Sequence, residues 1–154
     1  MLKAPELETQ DIDYTKLIDF LVAGDWQRAD QETMSLILRI TGRTEAGYPK
    51  SSDIKKIPAD VIQTIDNLWI THSDGKFGFT PQKQVWLKAE QNYTEFCEIL
   101  GWHRDSSWVD YSEVDFTLNA VVGHLPALLF PYPLGDTKVT SFALGSWRAS
   151  LLGR

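Results

Sequence analysis

The sequence predicts a single compact domain of the all-α class. Apolar residues recur at helical spacing in successive stretches before residue 101, and no stretch there alternates with the period of a β-strand. The chain has 154 residues, of which 43% are hydrophobic and 23% charged, and this suffices for one domain with its own core. We expect a flexible tail over residues 1–12 and the helical domain over residues 13–154.

The first two helices form a predicted antiparallel hairpin. Asp13 is a good N-cap for the first helix, and Gly24 ends that helix. Asp25 caps the second helix, which carries one apolar face through four turns until Gly42 stops it. The turn between the helices is too short for any other element.

Two further helical stretches follow a loop at residues 43–57. Pro58 suits the first position of the third helix. Thr80 is expected to cap a fourth helix with Pro81 at its first position. That helical period continues to Gly101, with a break expected near Asn92.

The C-terminal third, from Trp102 to Arg154, is irregular and contains eight aromatic residues. Long irregular segments inside a compact domain are usually functional or disordered, and the aromatic content disfavours disorder. Two interpretations stay open, a flap that covers a ligand and a cap that buries the helices. Trp108 and Trp147 lie outside any helical stripe, so each could contact a ligand or pack.

Composition excludes several classes of function. A net charge of −6 argues against a nucleic-acid partner, and no apolar stretch is long enough to span a membrane. The N-terminus lacks the features of a secretory or transit peptide, so we expect a cytoplasmic protein. The lone cysteine, Cys97, lies in a helical apolar pattern and is predicted to be a core thiol.

The sequence contains no recognisable catalytic or metal-binding motif. His72, His103 and His124 lack the spacing of a zinc site, and phosphate loops and nucleophile elbows are absent. We therefore predict a binding protein and not an enzyme. His124, within Gly-His-Leu-Pro, is expected to anchor a turn through its ring nitrogens rather than to ligate a metal.

A series of motifs in unbroken order over residues 13–126 resembles one family. The motifs are Asp13–Leu17, Leu21–Trp26, Ala29–Thr33, Asp53–Lys55, Ile57–Pro58, Ile65–Trp69, Gly75–Gln82, Gly101–Trp102, Trp108, Tyr111 and Gly123–Pro126. They resemble the genomes-uncoupled family of tetrapyrrole-binding proteins, which regulate magnesium chelatase. The segment after Pro126 is more apolar than the family pattern, and we expect no counterpart of the N-terminal helical bundle that chelatase-activating members carry.

The resemblance implies a helical domain shaped like a cupped hand, with two loops over an apolar palm. We call residues 43–57 the first finger and residues 102–116 the second finger. The palm would draw on residues 77–79 and the helix that follows. The ligand-binding residues implied are Tyr48, Ile57, Phe77, Phe79, Val85, Trp102, Trp108, Tyr111, Phe116, Leu125, Trp147 and Arg148.

The resemblance also implies a ligand and a partner. The ligand would be protoporphyrin IX, magnesium-protoporphyrin IX, or non-covalently bound biliverdin or another bilin. Arg148, Arg104 and Lys50 are the candidates to meet its propionates. The expected partner is the large porphyrin-binding subunit of magnesium chelatase, near photosynthetic membranes, and we expect a monomer. The alternative is a helical protein–protein interaction or signalling module without a tetrapyrrole.

Overall fold

A computed structural model describes residues 12–45, 51–128 and 151–152, and the all-α class is confirmed. The elements in chain order are α1 (Thr15–Ala23), α2 (Trp26–Thr41), α3 (Ser51–Ile54), α4 (Ala59–His72), α5 (Phe79–Lys88), α6 (Tyr93–Leu100), β1 (His103–Arg104), β2 (Ser107–Trp108) and a 3₁₀ turn (Tyr111–Glu113). The short strands β1 and β2 pair in antiparallel fashion, with His103 opposite Trp108.

The predicted hairpin of α1 and α2 is confirmed. Gly24 and Gly42 end the two helices in the left-handed conformation, with φ of 73° and 72°. The Asp25 carboxylate caps α2 by accepting the Arg28 amide. The first helix begins after Tyr14, one residue later than predicted, because the Asp13 side chain turns the chain by accepting the Thr15 amide at 2.9 Å.

The start of α5 differs from the prediction that Thr80 caps it. The helix begins at Phe79, and its cap residue is Gly78, with φ 138° and ψ 176°. Asp66 of α4 supplies the missing side-chain acceptor, since it accepts the Thr80 amide at 3.0 Å and the Thr80 hydroxyl at 2.5 Å. The capping group therefore comes from another helix, which local sequence cannot reveal.

Three further element boundaries can be compared with the predicted ones. The break near Asn92 is confirmed, because its side chain accepts the Glu95 amide and caps a separate α6. Pro58 is the N-cap of α4 rather than its first residue. The first finger, expected to be a loop, contains the single helical turn α3.

The core contains two groups of aromatic rings. Trp26 of α2, Trp69 of α4 and Phe77 pack together, and the Trp69 indole donates to the Thr33 hydroxyl at 2.9 Å. A second group joins α5 to α6 through Trp86, Tyr93, Phe96 and Trp102. The predictions that Trp26, Trp69 and Cys97 belong to the core are confirmed, since all three are buried.

The segment 123–128 is buried without regular secondary structure, and long-range hydrogen bonds satisfy its backbone. The Gln82 amide donates to the Gly123 carbonyl at 3.1 Å and to the Pro126 carbonyl at 2.9 Å. The buried carboxylate of Asp30 accepts the amides of Ala127 at 3.3 Å and Leu128 at 3.0 Å. The Leu125 carbonyl accepts the Gly78 amide. We call residues 123–128 the anchored segment.

Among the described residues, no helix is long and apolar enough to cross a membrane. The predicted tail lies outside the described residues except for Ile12, so the domain boundaries stay a prediction.

Replacing Gly78 with alanine should destabilise the domain strongly. A Cβ there would lie 2.8 Å from Oδ1 of Asp66 and 3.0 Å from Cγ1 of Ile70, and its φ is one that other residues rarely adopt. Gly75→Ala is the matched control, since its φ is 85° and nothing lies within 4 Å of the added carbon. In urea denaturation we expect Gly78→Ala to cost about 2 kcal/mol more than Gly75→Ala. Equal losses would contradict the steric account.

Replacing Asp30 with asparagine should loosen the anchored segment. Asparagine keeps the shape but offers one acceptor oxygen, so its amide group would face one of the two backbone amides. We expect a loss of about 1–3 kcal/mol in the free energy of unfolding. Asp19→Asn, on the exposed surface of α1, is the control and should be nearly neutral. Indistinguishable urea midpoints would show that the Asp30 contacts do not stabilise the fold.

Candidate functional site

A partly open cavity of about 310 Å³ lies between α4 and α5. This volume is at the lower end of the range for small-molecule sites, which begins at about 300 Å³. Its lining combines aliphatic and aromatic walls with a few polar groups: Ala59, Ile62, Gln63, Asp66, Phe79, Thr80, Lys83, Leu151 and Leu152. The cavity can therefore take part of an apolar plate and leave the rest exposed.

Lys83 is the cationic group of this cavity. It lies one helical turn after Phe79 on α5, so both side chains share the face that lines the cavity. No ion pair joins Lys83 to another residue in the described part of the chain. The nearby Asp66 carboxylate accepts hydrogen bonds from the amide and the hydroxyl of Thr80. An apolar ligand with a carboxylate could place that carboxylate at the Lys83 ammonium.

The first finger is closed at its base. Nε of Arg43 lies 2.6 Å from Oδ2 of Asp53, in a half-buried ion pair that joins the two described parts of the finger. Ile57 ends the finger as a buried core residue, directly before the start of α4. The described base of the first finger is thus held two residues before Ala59, which lines the cavity.

The second finger presents Trp108 at its surface. The side chain is 38% exposed and packs edge-on against His103, with ring centroids 4.5 Å apart. Tyr93 of α6 supports it at 6.0 Å. A half-exposed indole on a rigid hairpin can stack on a flat ligand, because little of its freedom remains to be lost.

His124 joins both ends of the second finger, as the sequence predicted for a turn anchor. Its Nδ1 lies 2.6 Å from the Leu100 carbonyl, and its Nε2 accepts the Asp115 amide at 3.1 Å. The pKa of His124 is lowered, mainly because burial disfavours the charged ring. The Leu100 carbonyl and the Asp115 carboxylate act in the opposite direction and raise it. Both ring nitrogens are occupied, so this histidine is not placed to ligate a metal.

The structure distributes the predicted ligand-binding residues over different environments. Phe79 lines the cavity, and Trp108 is partly exposed at the second finger. Val85 on α5 and the contacting pair Tyr111 and Phe116 are half-buried. Four members are fully buried and could not touch a ligand without movement: Ile57, Phe77, Trp102 and Leu125.

Some predicted site residues lie outside the described part of the chain. These are Tyr48, Trp147 and Arg148, together with the propionate candidate Lys50. Arg104, the remaining propionate candidate, is exposed on β1. The ligand-binding assignments stay predictions, since no ligand contact tests them.

Sequence reasoning missed most of the cavity lining. Lys83 could have been found, because it follows the predicted Phe79 by four residues on the same helix. Ile62 and Asp66 on α4, and Leu151 and Leu152 near the C-terminus, reach the cavity only through tertiary packing. Within residues 12–45, 51–128 and 151–152, no group of three or more His, Cys, Asp or Glu side chains could hold a metal ion.

Comparison with known proteins identifies the family. A family model described as GUN4-like matches residues 7–131. The chain is similar to the "Tetrapyrrole-binding protein, chloroplastic" of Arabidopsis thaliana, with 37% identity over 122 residues; the match covers 71% of this chain and 46% of that protein. Identity to a ycf53 protein of Porphyra purpurea is also 37%, over 79% of this chain and 52% of that protein. The chain thus spans about half the length of the curated relatives it matches.

Solved structures agree with this assignment. The structure of GUN4 from Chlamydomonas reinhardtii superposes with a TM-score of 0.77 at 25% identity, covering 96% of this chain and 92% of that one. The ligand-free structure of Arabidopsis thaliana GUN4 gives a TM-score of 0.75 at 30% identity, covering 93% and 96%. The fold, the motifs and the match to residues 7–131 lead to one conclusion, that this chain belongs to the GUN4-like family.

Proposed function

We propose that this protein binds a tetrapyrrole at the cavity between α4 and α5 and acts as a regulator without catalysing a reaction. The observation that carries the proposal is a cavity with apolar walls and a lysine that forms no ion pair with the described residues, in a chain whose Arabidopsis relative is named a tetrapyrrole-binding protein. The chemistry of the ligand matches this lining. A tetrapyrrole has an apolar ring system, which gains about 25 cal/mol per Å² of apolar area removed from water, and two propionates.

The two parts of the ligand would meet different parts of the cavity. Ile62, Phe79 and the leucines 151 and 152 offer apolar contacts to a ring edge. Lys83 would receive one propionate, and charge-assisted hydrogen bonds of this kind are stronger than neutral ones. We propose that the part of the ring system outside the cavity reaches the second finger, where the partly exposed Trp108 offers an indole.

The ligand would be protoporphyrin IX, its magnesium complex, or a bilin such as biliverdin. All three share the apolar ring system and the propionates, so the lining favours the class over any one member. We propose non-covalent binding, because the single cysteine, Cys97, is buried in the core where a bilin could not reach it.

Regulation of magnesium chelatase through its large porphyrin-binding subunit is the proposed role, with the protein acting as a monomer near photosynthetic membranes. An exposed aliphatic loop favours a protein contact: Leu118, Val121 and Val122 are each about half exposed. Lys76 holds this loop, since its ammonium donates to the Leu118 carbonyl and its carbonyl accepts the Gly123 amide. The same loop supports the second candidate, an interaction module without a tetrapyrrole.

One titration distinguishes the tetrapyrrole-binding protein from the interaction module without a tetrapyrrole. We expect saturable quenching of tryptophan fluorescence by deuteroporphyrin, magnesium-deuteroporphyrin or biliverdin at micromolar concentration. This corresponds to a binding free energy of about −8 kcal/mol. If none of the three quenches saturably while a protein partner co-purifies, the interaction module replaces the tetrapyrrole-binding proposal.

Lys83→Met should weaken deuteroporphyrin binding by about three- to tenfold, because the propionate loses its ammonium partner. The dimethyl ester of deuteroporphyrin lacks both carboxylates, so the variant should bind the ester as tightly as the unaltered protein does. Lys88→Met, at an exposed position outside the cavity on the same helix, should change neither affinity. An equal loss for acid and ester would refute the proposed charge contact.

Trp108→Ala should reduce deuteroporphyrin affinity by about three- to tenfold through loss of the stacking surface, and Trp108→Phe should restore part of it. Leu87→Ala is the control, because it removes an exposed apolar side chain from α5 outside the cavity. Isothermal titration calorimetry gives the affinities without relying on tryptophan fluorescence. An unchanged affinity in Trp108→Ala would exclude the second finger from the site.

A further inference from the structure

We propose that His124 closes the base of the second finger only in its neutral form, so that protonation of this ring opens the finger and weakens tetrapyrrole binding. The inference concerns regulation of the binding site and rests on the proposed function. Its structural part, a histidine clamp that opens when it takes up a proton, can be tested with or without a ligand.

The clamp joins the two ends of the finger to one imidazole. The Leu100 carbonyl, 2.6 Å from Nδ1, precedes the finger, and the Asp115 amide, 3.1 Å from Nε2, lies one residue before its end. The main-chain carbonyl of His124 itself accepts a hydrogen bond from the Trp102 indole at 3.0 Å. This bond fixes the first residue of the finger. Residues 103–114 thus project from a base that one side chain closes.

The hydrogen-bond pattern fixes the protonation state of the ring. A backbone amide only donates, so Nε2 must be unprotonated to accept the Asp115 amide. Nδ1 then carries the proton and donates it to the Leu100 carbonyl. A second proton on Nε2 would place a donor against the Asp115 amide, so the cation cannot keep this contact.

Electrostatics around the ring agree with a neutral clamp. Burial disfavours the cation and is the largest effect on the pKa of His124, which is lowered. The charged groups facing the ring are the Asp115 carboxylate of the second finger, which favours the cation, and Arg104 of β1, which opposes it. On the α6 side the ring contacts the Leu100 carbonyl. On the α5 side the neutral side chain of Gln82 donates to the anchored segment.

The sign of the effect follows from linkage. An exposed histidine in the open state has its ordinary pKa of about 6.5, and the closed state has a lower one. The closed finger is therefore fully favoured above pH 6.5. As the pH falls below that value, the open population rises by up to about tenfold per pH unit, until the closed-state pKa is reached.

The test is deuteroporphyrin affinity between pH 7.5 and about pH 5.5 in the full chain and in His124→Gln. Glutamine can still accept a hydrogen bond but does not titrate in this range. His72→Gln, at the C-terminal end of α4 and outside the cavity lining, is the matched control. Ionisation of the porphyrin affects binding to every variant equally, so the ratio of two variants' affinities reports the protein's own titration. We expect the unaltered protein and His72→Gln to weaken together below pH 6.5, relative to His124→Gln.

Parallel pH profiles for the unaltered protein and His124→Gln would overturn the proposal. If the variant does not fold, NMR on the unaltered protein decides: the Asp115 amide shift should titrate with the His124 ring carbons, and a constant Asp115 shift would refute the clamp. Absence of porphyrin binding at pH 7.5 would instead overturn the proposed function, and the NMR titration would still judge the clamp on its own.

Discussion

The anchored segment, residues 123–128, is buried and holds together the elements around it. A buried chain without helix or strand must find partners for its peptide groups elsewhere, since each unpaired group would cost about 1–3 kcal/mol. Here the partners are polar side chains from distant parts of the sequence: Asp30 of α2, Gln82 of α5 and Trp102 after α6. A segment of six residues thereby joins the helical hairpin to the later helices and the second finger.

This arrangement fixes the bases of both fingers. The stem of the second finger is bonded through His124, and that of the first finger through the ion pair of Arg43 with Asp53. In the second finger Trp108 stays partly exposed while it packs against His103 and Tyr93. A finger that is held at its base and presents an indole at its surface suits a site that binds a broad, flat ligand. The cavity beside Lys83 would supply the fixed floor.

The sequence predicts local features well and distant partners poorly. Helix ends at Gly24, Gly42 and Asn92 follow from capping chemistry within a few residues, so they were predictable. The cap of α5 was not, because its acceptor, Asp66, lies on another helix. Hydrogen bonds that cross 97 residues, such as Ala127 to Asp30, leave no periodic trace in the chain. The family resemblance reached them indirectly, because the side chains that hold the anchored segment belong to its motifs.

Hydrogen exchange measured by mass spectrometry, with and without deuteroporphyrin, would show whether the ligand occupies the cavity between α4 and α5. The anchored segment should be slow to exchange before ligand is added, since its amides already have buried partners. Added ligand should slow exchange in the first turns of α4 and α5, which flank the cavity, and in the second finger, with little change in α1. Ligand protection confined to the groove between α1 and α2, around Phe20 and Arg28, would contradict the account.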